Sequence, residues 1–542
     1  MTARPAGKRG PKPPSKPRRK GAESKPSARR REPTPTAVGE HVAPPEEAPI
    51  IVGIGASAGG FDALSRLLPH LSDDRLAYVV VQHLAAEQTD RFLATLSEHV
   101  KRPVELVQAG LRPQAGSIYL APAHALVEIA QGGFLLAKRS QPPRPLLPID
   151  YFLYSLANGP DGPGIGVVLS GMGSDGVAGL REVKAAGGIA IAQDPGTAEY
   201  EAMPRAAIEA GLADLVLAPE QIAVELPRLA DRLAMRAARA PGEEALDVPD
   251  ESLGEVFEHL RTQTGVDFSN YKLGTIRRRL QRRMVLNKVD SLDRYVRLLA
   301  ESPGELKDLY QDLLINVTRF FRDPGSFQAL HEEVFPKLLA NRRFDDPLRM
   351  WVPGCSTGEE AYSLAIALLE HLDDRTGSFQ VQIFATDLSE SAVGVARAGL
   401  YPESVTEQVT PERLQRFFTP TDGGYRMAKA VRDLCIFTRH DLTRDPPFSH
   451  LDLVMCRNVL IYLGAALQKR VISVLHYGLR PDGFLILGSA ESVGPRGDLF
   501  HLLDKRHSIY VKKAASQHLP PPFSRSHGPE PSSGRGRPAA TR

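Results

Sequence analysis

The sequence predicts an α/β protein with two parallel-sheet domains, a small all-helical domain between them and disordered termini. Three observations carry this prediction. Short apolar runs alternate with longer amphipathic stretches up to about residue 230, residues 251–325 show only helical spacing, and the alternation returns from about residue 345. Short continuous apolar runs between helices are typical of parallel strands that helices cover on both faces.

Length and composition limit the classes of protein to which the chain can belong. The 542 residues are enough for two or three domains, and 42% hydrophobic with 24% charged residues is ordinary for a globular chain. A net charge of +3 is too small to predict a nucleic-acid partner. There is no apolar run of about 18 residues, so we expect no membrane insertion. The three cysteines, Cys355, Cys435 and Cys456, have no paired spacing, which predicts a reducing, cytoplasmic setting and no metal site.

Changes in composition place the domain boundaries. The chain termini lack large apolar side chains and cannot offset their ordering entropy. The predicted segments are a disordered basic tail at 1–48, a first α/β domain at 49–235, a linker at 236–250, a helical domain at 251–325, a second α/β domain at 326–514 and a disordered tail at 515–542. We expect both α/β domains to be Rossmann-like, with ligands beyond the carboxyl ends of the strands.

The basic tail at 1–48 is the one feature that could indicate nucleic acid. It fits a nonspecific electrostatic tether better than sequence-specific DNA binding, because no recognition motif follows it. We therefore expect no specific nucleic-acid partner. A nucleic-acid methyltransferase that this tail draws to its target stays an alternative.

Individual strands are predicted from the apolar runs. A first apolar run begins at Pro49. The predicted strands of the front domain lie at 78–81, 117–120, 165–169, 188–192 and 214–217. Those of the rear domain lie at 349–352, 381–385, 451–455 and 483–487.

A first candidate site lies around Ser57, in the glycine-rich segment GIGASAGG between a strand and a helix. Small neighbours allow a sharp turn that presents the hydroxyl, as in a nucleophile elbow, although a phosphate-binding loop is equally consistent with this segment alone. A serine nucleophile needs a base and an orienting carboxylate. His83 and Asp175 each follow a predicted strand, so all three side chains are expected at one edge of the sheet.

The front domain resembles the catalytic domain of the chemotaxis receptor methylesterases. The matching stretches are IGASAGG, VVQHL, IYLAPAHALVEI, LSGMGSDGVAGL and AQDPGTAEYEAMPRAAIEAGLADLVL. The resemblance implies Ser57 as nucleophile, His83 as general base, Asp175 as its partner and the backbone amide of Met172 in the oxyanion hole. It also implies hydrolysis of glutamyl methyl esters in receptor helices, with deamidation of glutamine in some members.

A second candidate site follows the strand at 349–352. Gly354 lets the backbone approach a ligand, and Asp387, after the next strand, can accept the hydroxyls of a ribose. Glu359 and Glu360 would repel a pyrophosphate, which favours S-adenosylmethionine over a dinucleotide. The alternative is a glycine turn with two acids that stabilise a helix N-terminus.

The rear half resembles the chemotaxis receptor glutamate methyltransferases over roughly residues 251–512. The matching stretches are NVTRFFR, GCSTGEEAYSLA, FATDLS and MCRNVLIY. The resemblance implies S-adenosyl-L-methionine as cofactor and Tyr462 near the accepting carboxylate. The implied cofactor contacts are Asn316, Thr318, Arg322, Glu359, Asp387, Asp441, Leu442, Arg457 and Asn458. No general base is expected, because a glutamate is already ionised at neutral pH.

The segment LGTIRRRLQRRM in the helical domain has two predicted faces. Its apolar residues, Leu273, Ile276, Leu280 and Met284, recur at helical spacing and should face a core, which leaves Arg278, Arg279 and Arg282 on the opposite side. A solvated face is as consistent with the residues alone as a docking face. The resemblance favours docking on the acidic helices of methyl-accepting chemotaxis receptors.

The sequence thus predicts a bifunctional chemotaxis enzyme that hydrolyses and forms glutamyl methyl esters on receptors. A signalling scaffold that binds receptors without turnover is the alternative. The complete set of Ser57, His83 and Asp175 favours the enzyme.

Overall fold

The computed structural model describes residues 49–138, 147–159, 164–237, 250–340, 342–343, 346–372, 379–421 and 423–513. The tails predicted at 1–48 and 515–542 lie outside these residues. The same holds for 238–249 of the predicted linker, whose two ends belong to helices. Within the described part of the chain, no helix combines the length and apolar character needed to cross a bilayer.

The front part of the chain alternates strands and helices, as its apolar runs predict. Its strands are β1 Ile50–Ala56, β2 Leu76–Gln82, β3 Val104–Leu106, β4 Ile118–Leu120, β5 Ala125–Ala130, β6 Gly133–Lys138, β7 Ile165–Val168, β8 Ile189–Gln193 and β9 Leu215–Leu217. Its helices are α1 Gly60–Leu67, α2 Thr89–His99, α3 Pro148–Ala157, α4 Val177–Ala186, α5 Ala202–Glu209 and α6 Pro219–Ala237.

Seven of these strands form one parallel sheet in the order β3-β4-β2-β1-β7-β8-β9. The central strand β1 is paired with β2 on one side and with β7 on the other. Apolar side chains pack on both faces of the sheet, in two separate core clusters. The hairpin of β5 and β6 was not among the predicted strands and stands outside this sheet.

The helical part contains α7 Asp250–Thr264, α8 Leu273–Leu286, α9 Leu292–Glu301 and α10 Pro303–Leu313. Their apolar faces share one core, which contains Ile276, Leu280 and Met284 of α8. Leu273, predicted to face that core, is instead 39% exposed at the start of its helix. After α10, residues 314–323 leave the helical pattern and line a cavity that is described below.

The rear part repeats the α/β pattern. Its strands are β10 Leu348–Pro353, β11 Val381–Asp387, β12 Leu400–Pro402, β13 Phe418–Thr421, β14 Gly424–Met427, β15 Cys435–Arg439, β16 Leu451–Cys456, β17 Leu479–Leu487, β18 Phe500–Asp504 and β19 Ile509–Lys512. Its helices are α11 Pro324–Ala329, α12 Phe335–Leu339, α13 Glu359–Leu372, α14 Glu390–Ala398, α15 Val405–Gln408, α16 Pro411–Phe417, α17 Lys429–Arg432 and α18 Ala465–Gly478.

The rear sheet has the order β15-β11-β10-β16-β17-β19-β18. The strands from β15 to β17 are parallel, whereas β19 runs antiparallel to both of its neighbours. A small antiparallel sheet of β12, β14 and β13 is separate from it. The rear domain therefore has the predicted parallel α/β core, to which β19 and β18 add an antiparallel edge that makes the whole sheet mixed.

The arginine face of α8 does not face solvent, which corrects the prediction of a receptor-docking surface. Arg279 is 1% exposed and donates to the backbone carbonyls of Lys184 and Ala185, at the end of α4. Arg282 is 3% exposed and pairs with Asp214 of the front domain and with Asp312 of α10. Burial next to the other arginines lowers the pKa of Arg279 to about 9. These two arginines join the front domain to the helical domain.

Candidate functional sites

The first site lies where three neighbouring strands of the front sheet end. Ser57 directly follows β1, His83 directly follows β2, and Asp175 lies in the loop after β7. Ala56 is in register with Gln82, and Gly55 with Val168, so the three loops leave the sheet at nearly the same level. The structure brings together the three residues that the sequence places at this edge.

His83 connects the other two side chains. Its Nδ1 lies 3.0 Å from Ser57 Oγ, and its Nε2 lies 2.7 Å from a carboxylate oxygen of Asp175. With the proton on Nε2, the ring donates to Asp175 and leaves Nδ1 free to accept the hydroxyl proton of Ser57. This arrangement fits a serine nucleophile with an imidazole base.

Asp175 is held by backbone amides as well as by the histidine. It is 2% exposed and accepts hydrogen bonds from the N–H groups of Ile149 at 3.1 Å and Asp150 at 2.8 Å. Both amides belong to the first turn of α3, where unpaired N–H groups and the helix dipole stabilise an anion. The sequence analysis missed this contribution, because α3 lies far from all three loops along the chain.

Hydrogen bonds to the Ser57 backbone hold the turn that contains this residue. Ser57 N–H donates to the carbonyl of Ser170 at 3.0 Å, and the Gln82 side chain donates to the Ser57 carbonyl at 2.7 Å. The positive φ of 69° falls on Gly59, not on Ser57, so the serine itself is unstrained. The turn therefore differs from the strained nucleophile elbow used as the comparison in the sequence analysis.

Gly171 brings the neighbouring loop against the serine. A Cβ at Gly171 would lie 2.8 Å from Ser57 Cβ and closer still to the sulfur of Met203, so no larger residue fits. The amide of Gly171 donates to the Tyr200 carbonyl. The amide of Met172, one residue on, has no acceptor within the described chain, and its side chain is 62% exposed.

Two buried polar residues that the sequence analysis missed support this loop. Gln193 is 1% exposed and accepts a hydrogen bond from the Ser170 amide at 2.8 Å. The Ser170 hydroxyl donates to the Ala58 carbonyl at 2.9 Å and accepts from the Tyr200 amide at 2.9 Å. The sequence AQDPGTAEY contains both Gln193 and Tyr200, but their role depends on contacts across the fold.

The second site is a cavity at the carboxyl ends of the rear strands. Most residues that the sequence analysis named for the cofactor line it, together with Tyr462; they are Asn316, Thr318, Arg322, Asp387, Asp441, Leu442, Arg457 and Asn458. Tyr271 of the helical domain also lines the cavity and was not predicted. The cavity is therefore built by both the helical and the rear domain.

Asp387 ends β11 and is held by two amides. Its oxygens accept hydrogen bonds from the N–H groups of Ser356 at 2.8 Å and Ser389 at 2.9 Å. Ser356 adopts a positive φ of 51° in the turn after β10, which lets its amide point at the carboxylate. Burial raises the pKa of Asp387, and the backbone donors oppose that shift.

The two acids at the start of α13 have different surroundings. Glu360 lines the cavity and accepts hydrogen bonds from Arg457 at 2.9 and 3.2 Å. Glu359 does not line the cavity and accepts a hydrogen bond from the Thr357 hydroxyl at 2.6 Å. Successive helical residues point about 100° apart, and of this pair it is Glu360 that faces the cavity. The assignment of Glu359 to the cofactor is therefore corrected to Glu360.

The loop after β16 is positioned by a carboxylate that the sequence analysis missed. Glu491 is 7% exposed and accepts hydrogen bonds from the amides of Asn458 at 2.8 Å, Gly488 at 2.8 Å and Ile461 at 3.2 Å. Asn458 has a positive φ of 59°. The Glu491 carboxylate thus provides acceptors for backbone amides that, in this tightly bent loop, cannot pair within a helix or strand.

Three sequence models of protein families match the chain, and together they cover its described domains. They are the CheB methylesterase over residues 52–226, the all-alpha domain of the CheR methyltransferase over 251–314, and the SAM binding domain of the CheR methyltransferase over 316–509. The chain belongs to the CheB methylesterase and CheR methyltransferase families. S-adenosyl-L-methionine is accordingly the cofactor of its rear part.

Individual proteins are similar to parts of this chain. Chemotaxis protein methyltransferase 2 of Pseudomonas aeruginosa is 34% identical over 45% of this chain and 86% of its own length. A 104.1 kDa protein in the hypE 3′ region of Rhodobacter capsulatus is 38% identical over 77% of this chain; the chain spans 46% of that protein's length. The crystal structure of the Thermotoga maritima CheB methylesterase catalytic domain is 31% identical, with a TM-score of 0.31, and covers 34% of this chain and 98% of its own.

The residues of the CheR cavity fit a cationic nucleoside. Glu360, Asp387 and Asp441 supply negative charge, which exceeds the positive charge of the two arginines that line the cavity, Arg322 and Arg457. A Cβ at Gly354 would meet the Val459 side chain at 2.4 Å, so the glycine keeps this wall thin. The Ser356 hydroxyl is buried without a partner in the described residues and can serve a ligand.

Proposed function

We propose that the front domain hydrolyses glutamyl methyl esters by serine catalysis. The observation that carries this proposal is the chain of hydrogen bonds from Ser57 through His83 to the buried carboxylate of Asp175. Ser57 Oγ attacks the ester carbonyl while His83 Nδ1 takes the hydroxyl proton, and the imidazolium then protonates the departing methoxide to give methanol. Water hydrolyses the acyl-enzyme with the same base.

The backbone amide of Met172 is proposed as a donor to the oxyanion. Its freedom from internal acceptors and the contact of the preceding residue, Gly171, with Ser57 support this role. Such a donor stabilises negative charge that develops in the transition state.

The rear domain is proposed to methylate glutamate side chains. When bound, S-adenosylmethionine supplies an activated methyl group. Asp387 would accept the ribose hydroxyls, Glu360 would face the positive charge of the cofactor, and Asn316, Thr318, Asp441, Leu442 and Asn458 would line the remainder. Arg322 would contact the cofactor, and Tyr462 would position the accepting carboxylate, which needs no base because a glutamate is already ionised.

The protein substrate of both domains is proposed to be a chemoreceptor, in the cytoplasm. Membership in two chemotaxis families supports this substrate class, and deamidation of receptor glutamine is a further candidate reaction of the Ser57 site. Because the front domain covers Arg279 and Arg282, two of the three arginines that were predicted to dock, we propose that receptor docking takes place at the cavity rim and not on that helix.

The test uses the purified full chain with a receptor fragment and labelled S-adenosylmethionine. We expect label transfer to the fragment by both the unchanged chain and the Ser57→Ala variant, and methanol release only by the unchanged chain. Ser174→Ala is the matched control, since Ser174 lies next to Asp175 but outside the hydrogen-bonded chain. Methanol release that survives Ser57→Ala would refute the hydrolase assignment; absence of transfer would refute the methyltransferase assignment.

A further inference from the structure

Part of the wall of the CheR cavity comes from the helical domain, at Tyr271. This half-buried residue precedes α8 and lines the cavity together with residues of the rear domain. Its ring packs against the fully buried ring of Phe268, with centroids 4.9 Å apart and planes tilted by 54°. Tyr271 also packs against the hydrophobic core of the rear domain. Packing on two cores therefore fixes the position of this ring.

The backbone around Tyr271 is paired with the loop that precedes α18. Tyr271 forms an isolated antiparallel bridge with Leu463, and on either side of it a backbone hydrogen bond of 2.9 Å joins the two segments. A Cβ at Gly464 would lie 2.7 Å from the carbonyl oxygen of Asn270, so a larger residue could not approach as closely. This close contact between the helical and rear domains holds Tyr271 at the cavity wall.

The hydroxyl of Tyr271 has no hydrogen-bond partner among the described residues. Burial chiefly raises its pKa, and the negative charges of Asp441 and Asp387 raise it further. The hydroxyl therefore stays protonated at neutral pH and can donate a hydrogen bond. The same two aspartates line the cavity, and Asp387 is proposed above to accept the ribose hydroxyls. An unused donor thus belongs to the cavity wall at which the nucleoside is expected.

The nucleoside needs such a donor. A ribose hydroxyl that donates to a carboxylate keeps lone pairs that can accept a hydrogen bond, and the ring nitrogens of adenine accept as well. The carboxylates of Asp387 and Asp441 cannot serve these acceptors, because an ionised carboxylate only accepts. The Tyr271 hydroxyl supplies what the two aspartates lack.

We propose that the Tyr271 hydroxyl donates a hydrogen bond to the adenosine part of S-adenosylmethionine, so that the helical domain contributes directly to the cofactor site. The inference rests on the proposed placement of the ribose at Asp387. It adds to the cofactor contacts that the family resemblance implies, all of which follow α10 in the chain. A bound cofactor then joins the helical domain to the rear domain.

The first experiment measures binding of S-adenosylhomocysteine to the purified full chain by equilibrium dialysis. Tyr271→Phe removes the hydroxyl and keeps the ring, and it should raise the Kd about three- to tenfold, as expected for the loss of one hydrogen bond. Equal Kd values for the unchanged chain and this variant would overturn the inference alone. Absence of binding to the unchanged chain would overturn the placement of the cofactor, and the inference with it.

Tyr310→Phe is the matched control. The ring of Tyr310 also packs against Phe268, with centroids 6.1 Å apart, but Tyr310 does not line the cavity. Its substitution should leave the Kd unchanged. An equal loss of affinity in both variants would show that the effect comes from the packing of the helical core and would overturn the direct contact.

A second ligand tests which end of the cofactor Tyr271 contacts. The compound 5′-methylthioadenosine contains the adenosine part and lacks the amino-acid part. Tyr271→Phe should weaken its binding by the same factor as that of S-adenosylhomocysteine. Weaker binding of S-adenosylhomocysteine with unchanged binding of 5′-methylthioadenosine would place Tyr271 at the amino-acid end and overturn the assignment.

A double-mutant cycle tests the contact that holds Tyr271 in place. Gly464→Ala should raise the Kd for S-adenosylhomocysteine, because the added methyl group displaces the segment around Asn270. Gly497→Ala should not, since the nearest atom to its added Cβ lies 3.9 Å away. Adding Tyr271→Phe to Gly464→Ala should weaken binding no further, because the hydroxyl is already displaced. Fully additive losses would overturn this positioning of the Tyr271 hydroxyl.

Discussion

In the front domain the proposed reacting groups are side chains of the protein. In the rear domain, by contrast, side chains surround a cavity for a cofactor that would supply the reactive carbon. Ser57, His83 and Asp175 form one line of hydrogen bonds, which ends at a carboxylate that is 2% exposed. The charged residues of the rear cavity instead come from several separate segments of the chain; they include Glu360, Asp387, Asp441 and Arg457. Each works by position and charge, and none is expected to take a proton.

This difference predicts how strongly a single mutation should reduce the activity or the binding at each site. A hydrogen-bonded catalytic set acts as a unit, so loss of one member removes most of its activity. A cofactor cavity divides its binding free energy among many contacts, so loss of one contact should have a smaller effect. The predictions below test that contrast.

The largest expected effect is that of Asp175→Asn on ester hydrolysis. The amide would favour the wrong tautomer of His83, and we expect kcat for methanol release to fall about 10⁴-fold. Methyl transfer to a receptor fragment by the same variant should be unchanged. Asp194→Asn, in an exposed turn of the same domain, is the control. A loss below about tenfold would mean that Asp175 is not part of the catalytic unit.

The next largest effect is expected on stability, at the buried ion pairs that join the front domain to the helical domain. Arg282 is buried between Asp214 and Asp312, so Arg282→Met leaves two buried carboxylates with less compensation and should lower the free energy of unfolding by about 3–5 kcal/mol. Arg205→Met, which removes an exposed ion pair with Glu201, should change the free energy of unfolding far less, because solvent screens that pair. Urea unfolding measures both. Equal losses of unfolding free energy in the two variants would contradict a stabilising role for the buried ion pairs of Arg282.

The two glutamates of α13 give a smaller and more selective effect. Glu360→Gln should weaken S-adenosylmethionine binding about tenfold, because a charge in the cavity wall is lost. Glu359→Gln should change the Kd little, because that side chain turns away from the cavity. Equilibrium dialysis with the two variants compares them directly. The reverse order of affinities would restore the assignment made from the sequence.

The smallest expected effect is on stability at Glu359. Burial raises the pKa of this carboxyl above its ordinary value of 4.5, so the folded state binds the proton more tightly than the unfolded state does. The contribution of the proton to stability is therefore present at low pH and lost as the pH rises through the raised pKa.

Glu359→Gln should accordingly raise the Tm by a few degrees at neutral pH, and the gain should shrink as the pH falls through the raised pKa. Thermal unfolding of both proteins across this range measures the difference. A gain that grows toward low pH would reverse the sign of the argument. Glu390→Gln, at an exposed position on α14, should show no such dependence.

Much of the fold could be predicted from apolar runs, because a strand covered on both faces has a nearly continuous apolar sequence. Short or half-covered strands have no such signal. The strand β15 has only one buried residue among its five positions, and β18 with β19 forms the antiparallel edge. Neither could be separated from loop sequence by pattern alone, and the antiparallel direction depends on pairing between distant segments.

The amino-acid order by itself determined which groups are available for chemistry: a serine, a histidine and an aspartate after three strands, and a set of cavity residues after the rear strands. Because successive parallel strands end at one edge, these groups had to meet. Only the tertiary structure decided which neighbours orient these groups. Contacts between segments far apart in the chain bring the α3 amides to the first site, direct Glu360 into the cavity and bury Arg279 and Arg282.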